Sequence, residues 1–301
     1  MMKISVLIAN YNNSPFIATS IKSVLSQTFQ DFEIIIVDDY SSDNSIDIIE
    51  SFVKFDSRIK LFKNKRNYGV GYTKRRCIEK CYGDLFAFLD PDDALEPSAL
   101  KLMVEAHLSN PFASIIYSTH YICDKNLNVT RIFEKSGSIP FGKTFLHATP
   151  SDHFQISHFA SFKKKYYNLT EGLDTTYKKA ADKDLYYKME EVGEVFFIDK
   201  PLYYYRNHSN SISLNNNSIG ALRWEIRAKE MAQNRRNKNS NSINITSCEL
   251  SDIEYNFFIL QLKDHFQAKN YFHLLSTSFL FLFKYPTIDS LRFIYSIFFK
   301  K

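Results

Sequence analysis

Five short apolar segments alternate with amphipathic segments over the first 120 residues of the chain. The first two are Lys3–Ala9 (KISVLIA) and Glu33–Val37 (EIIIV), both rich in β-branched residues. Continuous apolar runs of this length are typical of strands that are covered on both faces. Strands separated by helical segments predict βαβ units with right-handed crossovers. The expected fold class is therefore α/β, with a mainly parallel, Rossmann-like sheet flanked by helices.

The other three predicted strands are Ile59–Phe62, Leu85–Leu89 and Ser114–Tyr117. Between the predicted strands, apolar residues recur at helical spacing, and one of the predicted helices covers Gly71–Cys81. This helix contains two cysteines four residues apart, a spacing that places both on one face. Buried, reduced thiols are expected there, because free cysteine is among the most buried residue types.

Beyond Lys125 the alternation of strands and helices fades. A helix is expected within Leu173–Val192 and a basic amphipathic helix over Leu222–Arg236, and the polar stretch Asn237–Ser242 is typical of a linker. Two extended segments, Val195–Ile198 and Leu202–Tyr205, lie between the helices. We therefore expect an α/β domain over residues 1–215, with halves 1–120 and 121–215, and a helical C-terminal segment over residues 216–301.

The net charge of +5 on 301 residues is modest. It suits a protein that binds phosphates or rests on an anionic membrane, and it is too small to predict nucleic-acid binding. The four cysteines form neither a disulfide-dense pattern nor a paired metal motif. The sequence begins with a strand and contains no apolar run long enough to span a membrane, so a cytoplasmic protein is expected.

Acidic residues follow two of the predicted strands. Asp38 and Asp39 end the second strand, and Asp90, Asp92 and Asp93 follow the fourth. Ligands bind at the carboxyl ends of parallel strands, where loops and helix N-termini meet. A single Asp at such a position commonly caps the next helix, a role expected here for Ser42 or Asp43. Three neighbouring carboxylates repel each other, and this favours a divalent cation whose other ligands are phosphate oxygens.

Four sequence blocks resemble the family 2 glycosyltransferases, which are inverting enzymes of the GT-A fold. They are ISVLIANYN (Ile4–Asn12), SVLSQTFQDFEIIIVDDYSSDNS (Ser23–Ser45), NYGVGYTKRR (Asn67–Arg76) and FAFLDPDD (Phe86–Asp93). The order and spacing of the blocks match the family over the first third of the chain. The resemblance is to small, non-processive bacterial members, and it implies sugar transfer from a nucleotide-sugar donor, a UDP-sugar, with a divalent metal.

The resemblance also implies roles for individual residues. Those expected to contact the nucleotide are Ala9, Tyr11, Asp38, Asp39, Asn67, Arg75 and Asp90, with Asp39 accepting a hydrogen bond from the base and Asp38 supporting its loop. Asp92 and Asp93 are expected to bind the metal, Mn²⁺ or Mg²⁺. Together the metal and Arg75 would offset the negative charge of the departing nucleoside diphosphate.

An inverting enzyme also needs a carboxylate that deprotonates the acceptor hydroxyl. The segment Ala181–Leu185 (ADKDL) resembles the motif that supplies it in the family, which makes Asp182 the expected catalytic base. The alternative is that Asp182 and Asp184 are acids of a helix's first turn, favoured there by the helix dipole. Arg206 and His208, in the sequence YRNH, are expected to contact the diphosphate or to lie at the exposed end of a strand.

The last part of the chain is rich in phenylalanine, with FLFLF at Phe279–Phe283 and a second apolar helix ending in Lys300-Lys301. Such helices pack on a core as a hairpin or lie in a membrane interface. Peripheral contact with the inner face of the cell membrane would suit a lipid-linked acceptor, and a glycan is the other expected acceptor class. Two other functions remain open: a non-catalytic sugar-nucleotide-binding module, and a nucleotidyltransferase. The latter needs a glycine-rich loop after the first strand, unlike Asn10-Tyr11-Asn12.

Overall fold

The computed structural model describes residues 2–148, 152–208, 218–238, 258–259, 261–262, 265–266 and 269–299 of the chain. The division expected between residues 215 and 216 lies outside these ranges. So do residues 239–242 of the expected linker, Cys248 and the two final lysines.

The strands are β1 (Ile4–Asn10), β2 (Phe32–Asp38), β3 (Ile59–Lys63), β4 (Leu85–Phe88), β5 (Ala94–Leu95), β6 (Ala113–Cys123), β7 (Val129–Ile132), β8 (Ala160–Lys163) and β9 (Glu194–Arg206). The helices are α1 (Ile17–Leu25), α2 (Ser45–Phe55), α3 (Val70–Lys80), α4 (Ala99–Ser109), α5 (Lys164–Tyr167), α6 (Ala181–Glu190) and α7 (Ser218–Lys238). A short 3₁₀ helix covers Phe145–His147. Two further helices, Tyr271–Lys284 and Ile288–Phe299, are called the C-terminal pair below.

The N-terminal half of the sheet is parallel, as the apolar runs predict. β3, β2, β1 and β4 lie side by side in that order, and each pair is parallel. Alternate residues of β1 pack on opposite faces: Leu7 contacts a cluster that includes α3, α6 and α7, whereas Ile8 contacts one that includes α1, α2 and α4. Both faces are therefore covered, which explains why these strands lack a polar alternation.

The second half of the sheet is mixed. β8 lies between β4 and β6 and is antiparallel to both, and β6 pairs in parallel with β9. The short β5 pairs with the end of β9, and β7 pairs with β6, both antiparallel. The two extended segments predicted near residues 195 and 205 form the single strand β9, with a register shift between Ile198 and Pro201.

The expected helical segment 216–301 contains two different parts. Helix α7 belongs to the main core, because Ala228 and Ala232 are fully buried in the same cluster as α6. The C-terminal pair forms a separate small cluster around Leu274 and Phe281. No helix within the described ranges is long and apolar enough to cross a membrane.

Helices α1 and α2 differ at their starts, and a cap was expected for the second of them. Helix α1 begins at Ile17, after a turn formed by Ser14 and Pro15, and its N-cap residue accepts no side-chain capping bond. Asp43 does act at the start of α2, where its carboxylate accepts the backbone N–H of Ser45 at 3.0 Å. Cys77 in α3 and Cys81, the residue that follows α3, are buried, free thiols of the same core cluster, as their spacing predicts.

Candidate active site

Asp38 is the last residue of β2, and its carboxylate fixes the loop that follows. It accepts hydrogen bonds from the side-chain nitrogen of Asn10 at 2.8 Å and from the hydroxyl of Ser41 at 2.6 Å. Asn10 ends the neighbouring strand β1 and lies opposite Asp38 in the parallel register. Asp38 is fully buried. Its position matches the supporting role that the resemblance implies, and it does not face solvent.

Asp39 holds the turn that leads into α3. Its Oδ1 accepts from Asn64 Nδ2 at 2.6 Å and from the backbone N–H of Tyr68 at 2.9 Å, and its Oδ2 accepts from the N–H of Gly69 at 2.8 Å. Gly69 has a φ of +90°, a conformation that favours glycine. Arg76 donates to Asn64 and so extends the network. Because Oδ2 accepts one bond here, it retains acceptor capacity for an N–H of a nucleobase.

The other residues implied in base binding lie near these loops. Ala9 is partly buried close to the end of β1, whereas Tyr11 is 47% exposed. The loop that contains Tyr11 is tied to the Asp38 loop, since the N–H of Asn12 donates to Ser41. Asn67 is exposed, and its side-chain oxygen accepts the N–H of Gly69 at 3.1 Å. Tyr11 and Asn67 are thus accessible to a ligand.

Asp93 occupies a different position from the one expected of a metal ligand. The antiparallel pairing of β5 with β9 brings it against Tyr203 and Arg206. Its Oδ2 accepts from the Tyr203 hydroxyl at 2.8 Å, and its Oδ1 accepts from the Arg206 N–H at 2.7 Å. Only 1% of Asp93 is exposed. Burial, together with the negative charges of Asp92 and Asp90, raises the pKa of Asp93 well above its usual value. Asp93 therefore fixes the acidic turn from inside the protein.

Asp92 faces the open side of the same turn. Its Oδ2 lies 2.9 Å from Nε2 of His208, and about a quarter of its side chain is exposed. The neighbouring Arg206 is 5% exposed and donates to the backbone carbonyls of Asp92 and Lys125 while lying over the ring of Phe16. The structure thus brings His208 to Asp92. Arg206 instead holds the backbone of the turn.

Asp90 forms an ion pair that the sequence motifs do not predict. Its Oδ1 lies 3.3 Å from the ammonium of Lys74, whose side chain is 13% exposed. Burial alone would lower the pKa of Lys74, but the negative charges of Asp90 and Asp182 outweigh it and raise that pKa. Burial would likewise raise the pKa of Asp90, and the positive charge of Lys74 holds it below its usual value. Lys74 therefore supplies the positive charge beside Asp90.

Arg75, the residue expected near the phosphates, points elsewhere. Its guanidinium donates to the carbonyl of Leu173 at 3.3 Å and pairs with Glu79 at 3.3 Å. The reason is the phase of helix α3. Lys74 shares the buried face with Cys77, three residues on, and the next residue is rotated by about 100°. Arg75 therefore fixes the turn at Leu173 and does not reach the acidic turn.

The two acids of helix α6 separate into two environments. Asp182 lines a narrow cavity of about 20 Å³ together with Lys74, Asp90 and His158, a space that holds about one water. Asp184 is buried on the other side of the helix and pairs with Lys188 at 2.7 Å. The expected base therefore lies in one cavity with the Lys74–Asp90 pair, although both Asp182 and Asp184 belong to the first turn of α6.

His158 is a further residue of this cavity, and the sequence motifs do not include it. Its ring stacks on Tyr203 and on Tyr205, with 5.0 Å between ring centroids in each case. Burial lowers its pKa, although the charges of Asp90 and Asp182 act in the opposite direction. The His158 ring lines the cavity together with Asp90 and Asp182. No pattern in the loop-rich segment before β8 distinguishes this histidine in the sequence.

The donor groups near Asp92 fit a hard divalent cation that is bound largely through its substrate. Within the described ranges, no cluster of three or more His, Cys, Asp or Glu side chains could hold a metal by itself. Mg²⁺ and Mn²⁺ in nucleotide-binding sites commonly take one or two carboxylates, with phosphate oxygens and water as the other ligands. Asp92 can supply a carboxylate of this kind, whereas the enclosed Asp93 cannot without rearrangement. An open depression of about 530 Å³ adjoins His208.

Comparisons with known proteins identify the family and the fold. The family model described as glycosyl transferase family 2 matches residues 5–169. Chondroitin synthase of Escherichia coli is 29% identical over 212 residues, which are 70% of this chain and 30% of that protein. A GalNAc(5)-diNAcBac-PP-undecaprenol β-1,3-glucosyltransferase of Campylobacter jejuni is 33% identical over 171 residues, 54% of this chain and 52% of that protein. The chain spans less than a third of the length of the first curated relatives.

Among solved structures, Staphylococcus aureus TarS shares the fold. TarS residues 1–349 in complex with UDP-GlcNAc superpose with a TM-score of 0.63 at 15% identity, covering 94% of this chain and 81% of that one. The same region in complex with UDP gives a TM-score of 0.56 at 17% identity, covering 88% and 72%. The expected GT-A architecture is therefore confirmed.

Proposed function

The chain belongs to glycosyl transferase family 2, and on that basis we propose that it transfers a sugar from a UDP-sugar to a hydroxyl group of a glycan or lipid-linked acceptor, with inversion at the anomeric carbon. One observation carries the proposal: Asp182, Lys74 and Asp90 line one cavity at the carboxyl end of β4. The cavity includes Asp90, two residues before Asp92, and this supports a single site that contains the candidate base and the candidate phosphate side.

The donor class rests on the comparisons and on the loops near Asp39. The solved TarS complexes contain UDP and UDP-GlcNAc, and the glucosyltransferase relative is named for an undecaprenol-linked substrate. In this chain, Asp39 is 3% exposed and accepts from three donors, of which only one bonds to Oδ2, so that this oxygen keeps acceptor capacity for the base. Tyr11 and Asn67 lie near it at the surface and are accessible to the nucleoside.

A divalent metal, Mn²⁺ or Mg²⁺, is part of the proposal. Asp92 would hold it, and the His208 ring would orient the Asp92 carboxylate through the 2.9 Å contact. When bound, the metal would offset negative charge on the departing diphosphate. Asp93 and Arg206 would act only through the backbone of the turn, which they hold in place.

Asp182 would act as the catalytic base. The acceptor oxygen attacks the anomeric carbon, the bond from that carbon to the diphosphate oxygen breaks, and UDP leaves with the bonding electrons. The acceptor proton passes to the Asp182 carboxylate. Lys74 would remain charged beside this carboxylate and would stabilise the negative charge that develops on the leaving group.

The decisive experiment separates donor chemistry from transfer. With Mn²⁺ and a panel of UDP-sugars, the wild-type chain should release UDP slowly, and Asp92→Ala should abolish the release. Asp182→Asn should bind UDP with unchanged affinity in calorimetry and lose transfer to acceptor. Binding of UDP without release or transfer by the wild type would identify a non-catalytic module. Full transfer by Asp182→Asn would remove Asp182 as the base.

A further inference from the structure

The C-terminal pair has an apolar surface that its own packing does not use. The two helices pack against each other through an inner face, where Leu274 and Phe281 are fully buried and Phe293 and Ile297 lie against them. On the outer side, exposed apolar residues are interspersed with His273 and Ser276 in the first helix and with Asp289 and Arg292 in the second. Exposed apolar residues that lie opposite an apolar inner face mark a surface that can pack on protein or lipid.

The exposed side chains recur at helical spacing. In the first helix they are Phe272, Leu275, Phe279 and Phe283, which are 79%, 61%, 72% and 82% exposed. In the second helix Ile288 and Leu291 are 70% and 56% exposed. Single exposed apolar side chains are ordinary, but a contiguous row of this kind marks an interaction surface. This row is called the outer stripe below.

The described residues around the outer stripe carry a net positive charge. Residues 269–299 contain three basic residues and one Asp, a net charge of +2, and the Asp lies 3.6 Å from one of the basic residues, Arg292. Lys269 and Lys284 flank the first helix, and Arg292 lies in the second. Basic residues beside an apolar helix face are attracted to anionic lipid headgroups. A second copy of the chain would instead bring two positive surfaces together.

We propose that the outer stripe docks the protein on an anionic phospholipid surface. The side chains of the stripe are Phe, Leu and Ile, which offer no hydrogen bonds, whereas protein interfaces typically carry about one per 100–200 Å². The first helix has 14 residues, a length of about 21 Å, which is short of the ~30 Å apolar core of a bilayer. The first helix therefore lies in the membrane–water interface and does not span the bilayer. The proposal goes beyond sugar transfer and does not depend on it.

Vesicle co-sedimentation of the full chain tests the proposal. The protein should bind vesicles of phosphatidylcholine containing phosphatidylglycerol, and binding should weaken as salt is raised. Phe279→Glu and Phe283→Glu should each weaken binding about tenfold or more, because each removes a buried aromatic side chain from the lipid. Phe55→Glu is the matched control: Phe55 is 91% exposed on α2, and its variant should bind like the wild type.

Three results would overturn the proposal. They are failure of the folded wild type to bind anionic vesicles, equal binding by the Phe283 and Phe55 variants, and light-scattering evidence of a dimer that the stripe substitutions dissociate. Should the Glu variants not fold, Phe283→Trp provides a direct measurement. The wild-type chain has one tryptophan, Trp224, so brominated phosphatidylglycerol should quench the emission that this substitution adds and leave the wild-type emission nearly unchanged. Equal quenching of both would contradict the docking orientation.

Discussion

Replacing Lys74 by methionine should remove most of the transferase activity. The substitution keeps roughly the length of the side chain and removes the positive charge of its ammonium group. At an effective dielectric constant of about 20, charges separated by the 3.3 Å between Lys74 and Asp90 attract by about 5 kcal/mol. Lys74 loses hydration in the cavity, and a third of the Asp90 side chain is exposed to solvent, which screens the pair. The net contribution of the pair to the free energy of unfolding is therefore about 1–2 kcal/mol.

The effect on turnover should exceed the effect on stability. Removing one preorganised group that stabilises developing charge costs about 10²–10³ in kcat, and Lys74→Met should fall in this range in a UDP-release assay. The pH profile gives a second readout. The charge of Lys74 lowers the pKa of Asp90, so its removal raises that pKa. If ionised Asp90 is required, the acid limb of the profile should move to higher pH.

Three further variants make the comparison specific. Lys74→Arg should restore part of the activity, because it restores the charge. Lys80→Met makes the same chemical change in the last turn of α3, over the ring of Phe62, and should leave turnover nearly unchanged. Arg75→Met should cost much less than Lys74→Met, because Arg75 contacts Leu173 and Glu79. Lys74→Met activity within about threefold of the wild type, or equal losses at positions 74 and 75, would refute the reasoning.

Two further predictions concern stability. Arg236→Ala should lower the free energy of unfolding, measured in urea, by about 3–5 kcal/mol, because it leaves the Glu190 carboxylate, 8% exposed and 2.7 Å from Arg236, without its ion-pair partner. As a control, Lys101→Ala breaks an exposed pair and should lower the free energy of unfolding by less than about 1 kcal/mol. Equal effects of the two substitutions would contradict the burial argument. Asp93→Asn should flatten the pH dependence of the melting temperature. The folded-state pKa of Asp93 is raised, so its contribution to stability is present at low pH and is lost as pH rises through that pKa; a variant that loses stability with rising pH as steeply as the wild type would show that Asp93 is not the group responsible.

The parallel half of the fold could be predicted because its strands are continuous apolar runs. β1, β2, β3 and β4 agree with the predicted segments to within one or two residues. β8 could not be assigned, since it is four residues long in a segment without periodicity. Its position between β4 and β6 also depends on contacts across the sheet, which local pattern does not specify.

The positions of the candidate acids follow from the strands that precede them, whereas the surroundings of their neighbours depend on helix phase and on distant pairing. The spacing of Cys77 and Cys81 identifies one face of the α3 segment, and Lys74 lies on that face, three residues before Cys77. The resemblance placed Arg75 near the phosphates, and in the structure Arg75 contacts Leu173 and Glu79. The enclosure of the Asp93 carboxylate could not be predicted, because the pairing of β5 with β9 joins segments that are far apart in sequence.

Helix α7 connects the stability of the fold to the candidate base. Arg235 pairs with Asp184 at 3.4 Å, and Arg236 pairs with Glu190 at 2.7 Å, so α7 binds both ends of α6. Buried ion pairs contribute little net stability, because desolvation offsets most of their attraction, but a mispaired arrangement costs several kcal/mol. The pairs therefore select one rotation and one axial position of α6. In that position Asp184 is enclosed, and Asp182, half a turn away, faces the cavity with Lys74.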